Sequence, residues 1–128
     1  MNEIYETYKD HVNFYLVYIR EAHPTDGWQV FSNLNDDVLH ANPKNSNERA
    51  ELAGVCMLNL GFTIPILLDN MQNKVDDKYA ALPERLYVLN KDGEVYYRGI
   101  MGSPGFNVDT WFEAVQVQAV VSSAQAAE

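Results

Sequence analysis

Cysteine is nearly absent from this chain: Cys56 stands alone. A single thiol forms no intrachain disulfide and no Cys-x-x-Cys pair, which leads us to expect a reducing, cytoplasmic setting. Basic residues are also scarce, with 9 Lys and Arg against 18 Asp and Glu and a formal net charge of −9. Nucleic-acid surfaces concentrate Lys and Arg against phosphate, so no nucleic-acid partner is expected and the acidic surface reads as solvated. No apolar run is long enough to span a bilayer. The first residues lack a basic stretch followed by the apolar core of a secretory leader, and no membrane partner is expected. Repeats, low-complexity tracts and linker-like boundaries are missing. The 128 residues therefore read as one domain over 1–128, with 120–128 as a flexible tail.

Hydrophobic patterning divides the chain into short elements. Ile4, Tyr5, Tyr8 and Val12 recur at near-helical spacing within Glu3 to Val12. Phe14 to Ile19 is a continuous apolar, β-branched and aromatic run, the pattern of an interior parallel strand covered on both faces. Glu21 to Asn47 is a long polar segment with Pro24, Gly27 and Pro43; loops of this length are usually functional or carry short helices. A helix follows over Glu48 to Leu60. Asn45 with Glu48 three residues on forms a loose capping box, and Gly61 suits a left-handed helix end. Ile64 to Leu68 is a strand closed by Asp69, Gln72 to Ala80 a short helix and Arg85 to Leu89 a third strand. Lys91-Asp92-Gly93 signals a hairpin turn into a fourth strand, Glu94 to Arg98. After a Gly/Pro loop (Gly99 to Gly105) a last helix begins near Asn107, with Val108, Trp111, Phe112, Val115 and Ala119 as its buried stripe.

Strand, helix, strand implies a right-handed parallel crossover, and the closing hairpin and helix complete the C-terminal part of a thioredoxin-like α/β fold. Glu21 and His23 follow the first strand two residues apart, a spacing that places side chains on one face. Ligand sites of open α/β sheets lie at the carboxyl ends of their strands, so this pair marks a candidate active-site rim. Taken alone, Glu-x-His also fits a salt bridge or a loop anchor.

Three stretches resemble one family. Val17-Tyr18-Ile19-Arg20-Glu21-Ala22-His23-Pro24-Thr25-Asp26-Gly27-Trp28 resembles the signature VYIEEAHxSDGW of iodothyronine deiodinases. Leu68 to Asn73 and Tyr79 to Val88 resemble two further family motifs, in the same order. The resemblance implies a thioredoxin-like fold, a mixed sheet flanked by helices, and reductive removal of iodine from thyroid hormones by a selenocysteine, or by cysteine in bacterial relatives. It implies that Glu21 and His23 are the acid and imidazole at the reaction centre and that Tyr18 and Glu84 are further active-site positions. It also makes Pro83 the cis proline before the third strand, an uncommon bond without such a reason. Arg85 and Tyr87 belong to the matched motif with no catalytic role attached. The implied partners are a small aromatic or halogenated substrate and a thiol reductant, with no metal or other cofactor. In the family the nucleophile sits on a strand–turn–helix unit ahead of the helix that opens this chain, so that unit is expected to be missing. Met101 stands where some members hold the hormone carboxylate with a basic residue, and His40 is a candidate match for a second family histidine.

The expected chemistry pairs a chalcogenolate that attacks iodine with a proton donor for the ring carbon. A histidine suits that donation near neutrality. Cys56, among Leu52, Val55 and Leu60 with no basic neighbour, reads as an inert core thiol. The chain by itself is therefore expected to be inactive in thiol-dependent deiodination. Trp28 reads as a hydrophobic anchor over the loop, with stacking on an aromatic substrate as the functional alternative. His11 with Asp10, and His40 with Asp36 and Asp37, match no zinc spacing. Asp36-Asp37 and Asp76-Asp77 read as solvated charges, and Gly102-Ser103-Pro104-Gly105 resembles no phosphate loop. A non-catalytic thioredoxin-like binding module using the Glu21 to Trp28 rim is the alternative function; a metal-assisted enzyme is a third. Phe14 to Ile19 expects a neighbour on each side. It should pair directly with Arg85 to Leu89, leave a gap there, or borrow a strand from another molecule.

Overall fold

A computed structural model of the chain describes residues 1–29 and 40–125. They form a mixed α/β structure. Helix α1 (Asn2–Tyr8) leads into strand β1 (Leu16–Tyr18). Helix α2 (Ser46–Leu60) crosses to strand β2 (Ile66–Leu68), and helix α3 (Lys74–Tyr79) precedes the hairpin of β3 (Tyr87–Leu89) and β4 (Val95–Arg98). Helix α4 (Val108–Gln125) closes the chain. Its last turns take up 120–125 of the stretch read as a tail; 126–128 lie outside the described residues. No helix among the described residues is long and apolar enough to cross a membrane.

Local chemistry sets the element ends. Asn45 Oδ1 accepts from the amides of Asn47 and Glu48, both at 3.0 Å, while Glu48 Oε2 reaches back to the Lys44 amide at 2.7 Å. These bonds satisfy donors that a helix start leaves free. Gly61 ends α2 at φ 62°, a left-handed conformation that glycine adopts without a Cβ penalty. Asn90 organises the hairpin, its Oδ1 accepting from the Asp92 and Glu94 amides.

β1 and β2 pair in parallel, Leu16 with Ile66, Val17 with Leu67 and Tyr18 with Leu68. β3 and β4 pair antiparallel with a register shift between Val88 and Leu89. The expected mixed sheet is thus present as two two-stranded sheets, with no β1–β3 ladder among the described residues. A shared core underlies both. Phe14, Ile64, Val88, Trp111, Ala114 and Val115 are its buried members. Phe14 meets Tyr5 and Trp111 edge to face, with ring centroids 5.7 and 6.1 Å apart. Trp111 also joins β3 to α4. Leu86 O accepts from Gly99 N, so the next carbonyl, of Tyr87, faces away from β4. The Trp111 indole donates to that carbonyl at 3.1 Å.

One expectation is corrected here. β1 is not covered on both faces: Tyr15 and Val17 are exposed, as is Leu67 beside Val17 in the register. Alternate strand residues point to opposite sides, and the packed side is that of Phe14 and Leu16, against α1 and α4.

Candidate active site

The site begins at the end of β1. Tyr18 is the last strand residue, and its hydroxyl donates to Glu21 Oε1. Burial, followed by that hydrogen bond and the Glu21 charge, pushes the Tyr18 phenol far above its ordinary value, so it is held as a donor. Cys56 on α2 is half-buried; burial first and the Glu21 carboxylate second push its thiol up as well. Glu21 therefore lies within electrostatic reach of both a phenol and a thiol. The sequence spacing gave no hint of the thiol.

His23 sits in the bend that follows. Its Nδ1 lies 3.2 Å from Trp28 O. A carbonyl only accepts, so this contact assigns the hydrogen of the neutral ring to Nδ1 and leaves Nε2 as its acceptor. That atom is a base in the neutral ring and a proton donor in the imidazolium. The His23 and Trp28 rings meet edge to face at 4.8 Å. Among the described residues Glu21 and His23 share no hydrogen bond: the acid is tied to Tyr18, the imidazole to Trp28. Trp28 is 76 % exposed, which corrects its reading as an anchor packed over the loop. The rim is fastened from 40–42, with Thr25 N donating to His40 O at 2.8 Å and Asn42 N to Asp26 Oδ1 at 2.9 Å. His40 contributes its carbonyl here, and its side chain lines a surface hollow with Pro43, Lys44 and Val55 that contains neither Glu21 nor His23.

The other stretch the sequence singled out is the loop before β3, where the Leu82–Pro83 bond is cis. Gly102 N donates to Glu84 O at 3.1 Å, and a Cβ on Gly102 would come within 3.8 Å of the Pro83 ring. Arg85 ties the same loop down through Nε to Gly99 O at 2.8 Å and Nη1 to Ala80 O at 3.0 Å. Tyr87 donates its hydroxyl to Tyr79 O. Met101 is exposed.

A buried polar network lies behind these stretches. Asp69 N donates to Tyr18 O at 2.9 Å, continuing the β1–β2 ladder. The Asp69 carboxylate then accepts from Asn70, Val75 and Asp76 amides at 2.8, 3.0 and 2.9 Å, covering the start of α3. Arg49, also buried, donates from Nη1 to Asp69 O and Asn70 O and from Nη2 to Asn73 Oδ1. Asp76 is only 2 % exposed. Its reading as a solvated charge is therefore corrected: its carboxylate faces the Leu82 amide and Arg20. Asp77 is exposed, and Asp36 and Asp37 lie outside the described residues. The available signals were an acid directly after a strand and an arginine four residues before Ala53 on the inner face of α2. No group of three or more His, Cys, Asp or Glu that could hold a metal occurs among the described residues.

The sequence pattern described as iodothyronine deiodinase matches residues 1–116. A type I iodothyronine deiodinase from Xenopus laevis is 34 % identical over 105 residues, 82 % of this chain and 39 % of that protein. A thyroxine 5-deiodinase from Gallus gallus is 33 % identical over 108 residues, 81 % of this chain and 40 % of that protein. One from Sus scrofa is 32 % identical over 115 residues, 87 % and 36 % respectively. The chain spans less than half the length of these curated relatives.

Proposed function

Because this chain belongs to the iodothyronine deiodinase family, we propose that it forms the acid–imidazole side of a reductive dehalogenation site on a thioredoxin-like sheet. The reaction is the replacement of an aromatic iodine by hydrogen. A chalcogenolate attacks iodine, the C–I electron pair stays on the ring carbon, and the carbon takes a proton. Two thiols of a reductant then supply the two electrons that release iodide and leave a disulfide. His23, as the imidazolium, donates that proton from Nε2, and the Tyr18–Glu21 pair lies on the same rim. Pro83 and Glu84 face the substrate from the loop before β3, and Trp28 offers a ring for an aromatic ligand to stack on.

The observation that carries this reading is the Tyr18 hydroxyl held on Glu21 at the carboxyl end of β1. Cys56 is not assigned as nucleophile: a thiol pushed up in pKa is poorer in the reactive thiolate. We assign the attacking chalcogen to a residue outside these 128, on a strand between β1 and β3. The missing β1–β3 ladder among the described residues supports that assignment. A reducing, cytoplasmic setting goes with it, since both the lone thiol and the reductant stay reduced there.

The purified chain, given thyroxine and dithiothreitol, is expected to release no iodide while thyroxine quenches Trp28 fluorescence; Trp28→Ala and His23→Ala should each weaken that quenching. Iodide release that survives Cys56→Ala would overturn the assignment of the nucleophile. The exposed Trp28 ring also favours a second reading, a non-catalytic module that binds through the same rim. The coding sequence upstream of Met1 separates the two. A strand-like stretch followed by an in-frame Cys or TGA codon supports the enzyme, and a nearby stop without one supports the module.

A further inference from the structure

The proposed function draws on two stretches far apart in the chain, the rim from Tyr18 to Trp28 and the loop from Leu82 to Glu84. Arg20, inside the first, reaches the helix that leads into the second. Its Nε lies 2.7 Å from Asp76 Oδ2. Oδ2 is buried and has no hydrogen-bond partner among the described residues, so the contact is an ion pair, with the guanidinium charge facing that oxygen. Oδ1 of the same carboxylate accepts from Leu82 N at 2.9 Å, immediately before Pro83. The Asp76 amide donates to Asp69 Oδ2 at 2.9 Å, and the Asp69 amide donates to Tyr18 O at 2.9 Å. Tyr18, Asp69, Asp76 and Arg20 thus close a ring that leaves at the end of β1 and returns to the chain two residues beyond it.

We propose that Arg20 and Asp76 are positioning residues, a latch that sets the Glu21–His23 rim against the Pro83–Glu84 loop. Arg20 is bonded directly to Glu21, so a displacement of its backbone is a displacement of the acid. On the other side, a buried carboxylate that loses its paired guanidinium is an uncompensated charge. It gains by turning toward water, and in doing so it releases the Leu82 amide. Arg49 Nη1 and Nη2 are committed to carbonyls and Asn73; its Nε is buried without a hydrogen-bond partner among the described residues, and the cation paired with Asp76 Oδ2 is Arg20. What the two stretches do rests on the dehalogenation reading; the mechanical coupling between them does not.

Nuclear magnetic resonance of the full chain tests the latch without any turnover. Asp76→Asn keeps an oxygen for Leu82 N and removes the charge. It is expected to shift the Trp28 indole and His23 ring signals, although residue 76 lies on α3. Arg20→Gln is expected to shift the Leu82 and Glu84 amides, and Arg20→Lys to bring them back toward their native positions. The double variant should move no signal further than the larger single change, because coupled sites are not additive. Shifts confined to each residue's own stretch, or a double variant equal to the sum of the singles, would overturn the latch. Should Asp76→Asn fail to fold, Arg20→Gln and Arg20→Lys decide the matter on the Leu82 and Glu84 amides, because Arg20 is 42 % exposed in its side chain. Loss of thyroxine binding in the native chain counts against the dehalogenation reading alone and leaves these shifts as they are.

Discussion

Glu21 carries more electrostatic weight than its neighbours, because it raises both a phenol and a thiol. Two measurable consequences follow from the direction of those shifts. The Cys56 thiol is short of thiolate at mildly alkaline pH, so iodoacetamide should modify it more slowly in the native chain than in urea. Glu21→Gln removes the second of the two causes and should speed native alkylation. An unchanged rate would mean that burial alone holds the thiol. For Tyr18 the folded pKa lies above the unfolded one, which is near 10. Below that value both states keep the proton and the contribution to stability is complete. As pH rises past 10 the unfolded phenol ionises first, so Tm should fall. Tyr18→Phe should flatten this alkaline decline relative to the native chain, while costing about 1 kcal/mol at neutral pH through the lost hydrogen bond. Parallel Tm profiles from pH 8 to 11 would contradict the assignment.

The helices stand on their ends more than on their length. α2 begins with Asn45 and Glu48 satisfying three amides, so Asn45→Ala should cost about 1 kcal/mol in urea unfolding. A loss under about 0.3 kcal/mol would show that water replaces the cap. α3 is too short to hold itself by its own hydrogen bonds. Asp69 covers its first amides, and Asp76 in its first turn ties it to the loop before Pro83. This explains why a pair of acids that looks solvated in the sequence is split, with Asp76 buried and Asp77 at the surface. The hairpin differs, since Asn90 organises its turn from within and the turn residues themselves carry the signal.

At the scale of the molecule, α4 holds two small sheets together. Trp111 touches Phe14 on one side and bonds to Tyr87 O on the other. Among the described residues β1 pairs only with β2, and β3 only with β4. Tyr15, Val17 and Leu67 form an exposed apolar face beside such an edge. Open edges and bare apolar faces are templates for association. Sedimentation velocity should therefore show a mass average that rises with concentration, and Val17→Lys should suppress the rise. A single species at every concentration would show that the β1 face is protected.

Properties set by neighbours in the chain were legible from the sequence alone. The capping of α2 by Asn45, the left-handed Gly61, the hairpin turn, the stripe of α4 and the three family motifs depend on backbone torsions and on partners within a few residues. Tertiary structure decided the rest, because it concerns what each side chain meets from elsewhere in the fold. It set Cys56 within reach of Glu21, left Trp28 in solvent, and buried Arg49 and Asp76. It also bared one face of β1. Burial and charge compensation belong to the packed whole, and no local pattern encodes which distant carbonyl, carboxylate or ring will be there.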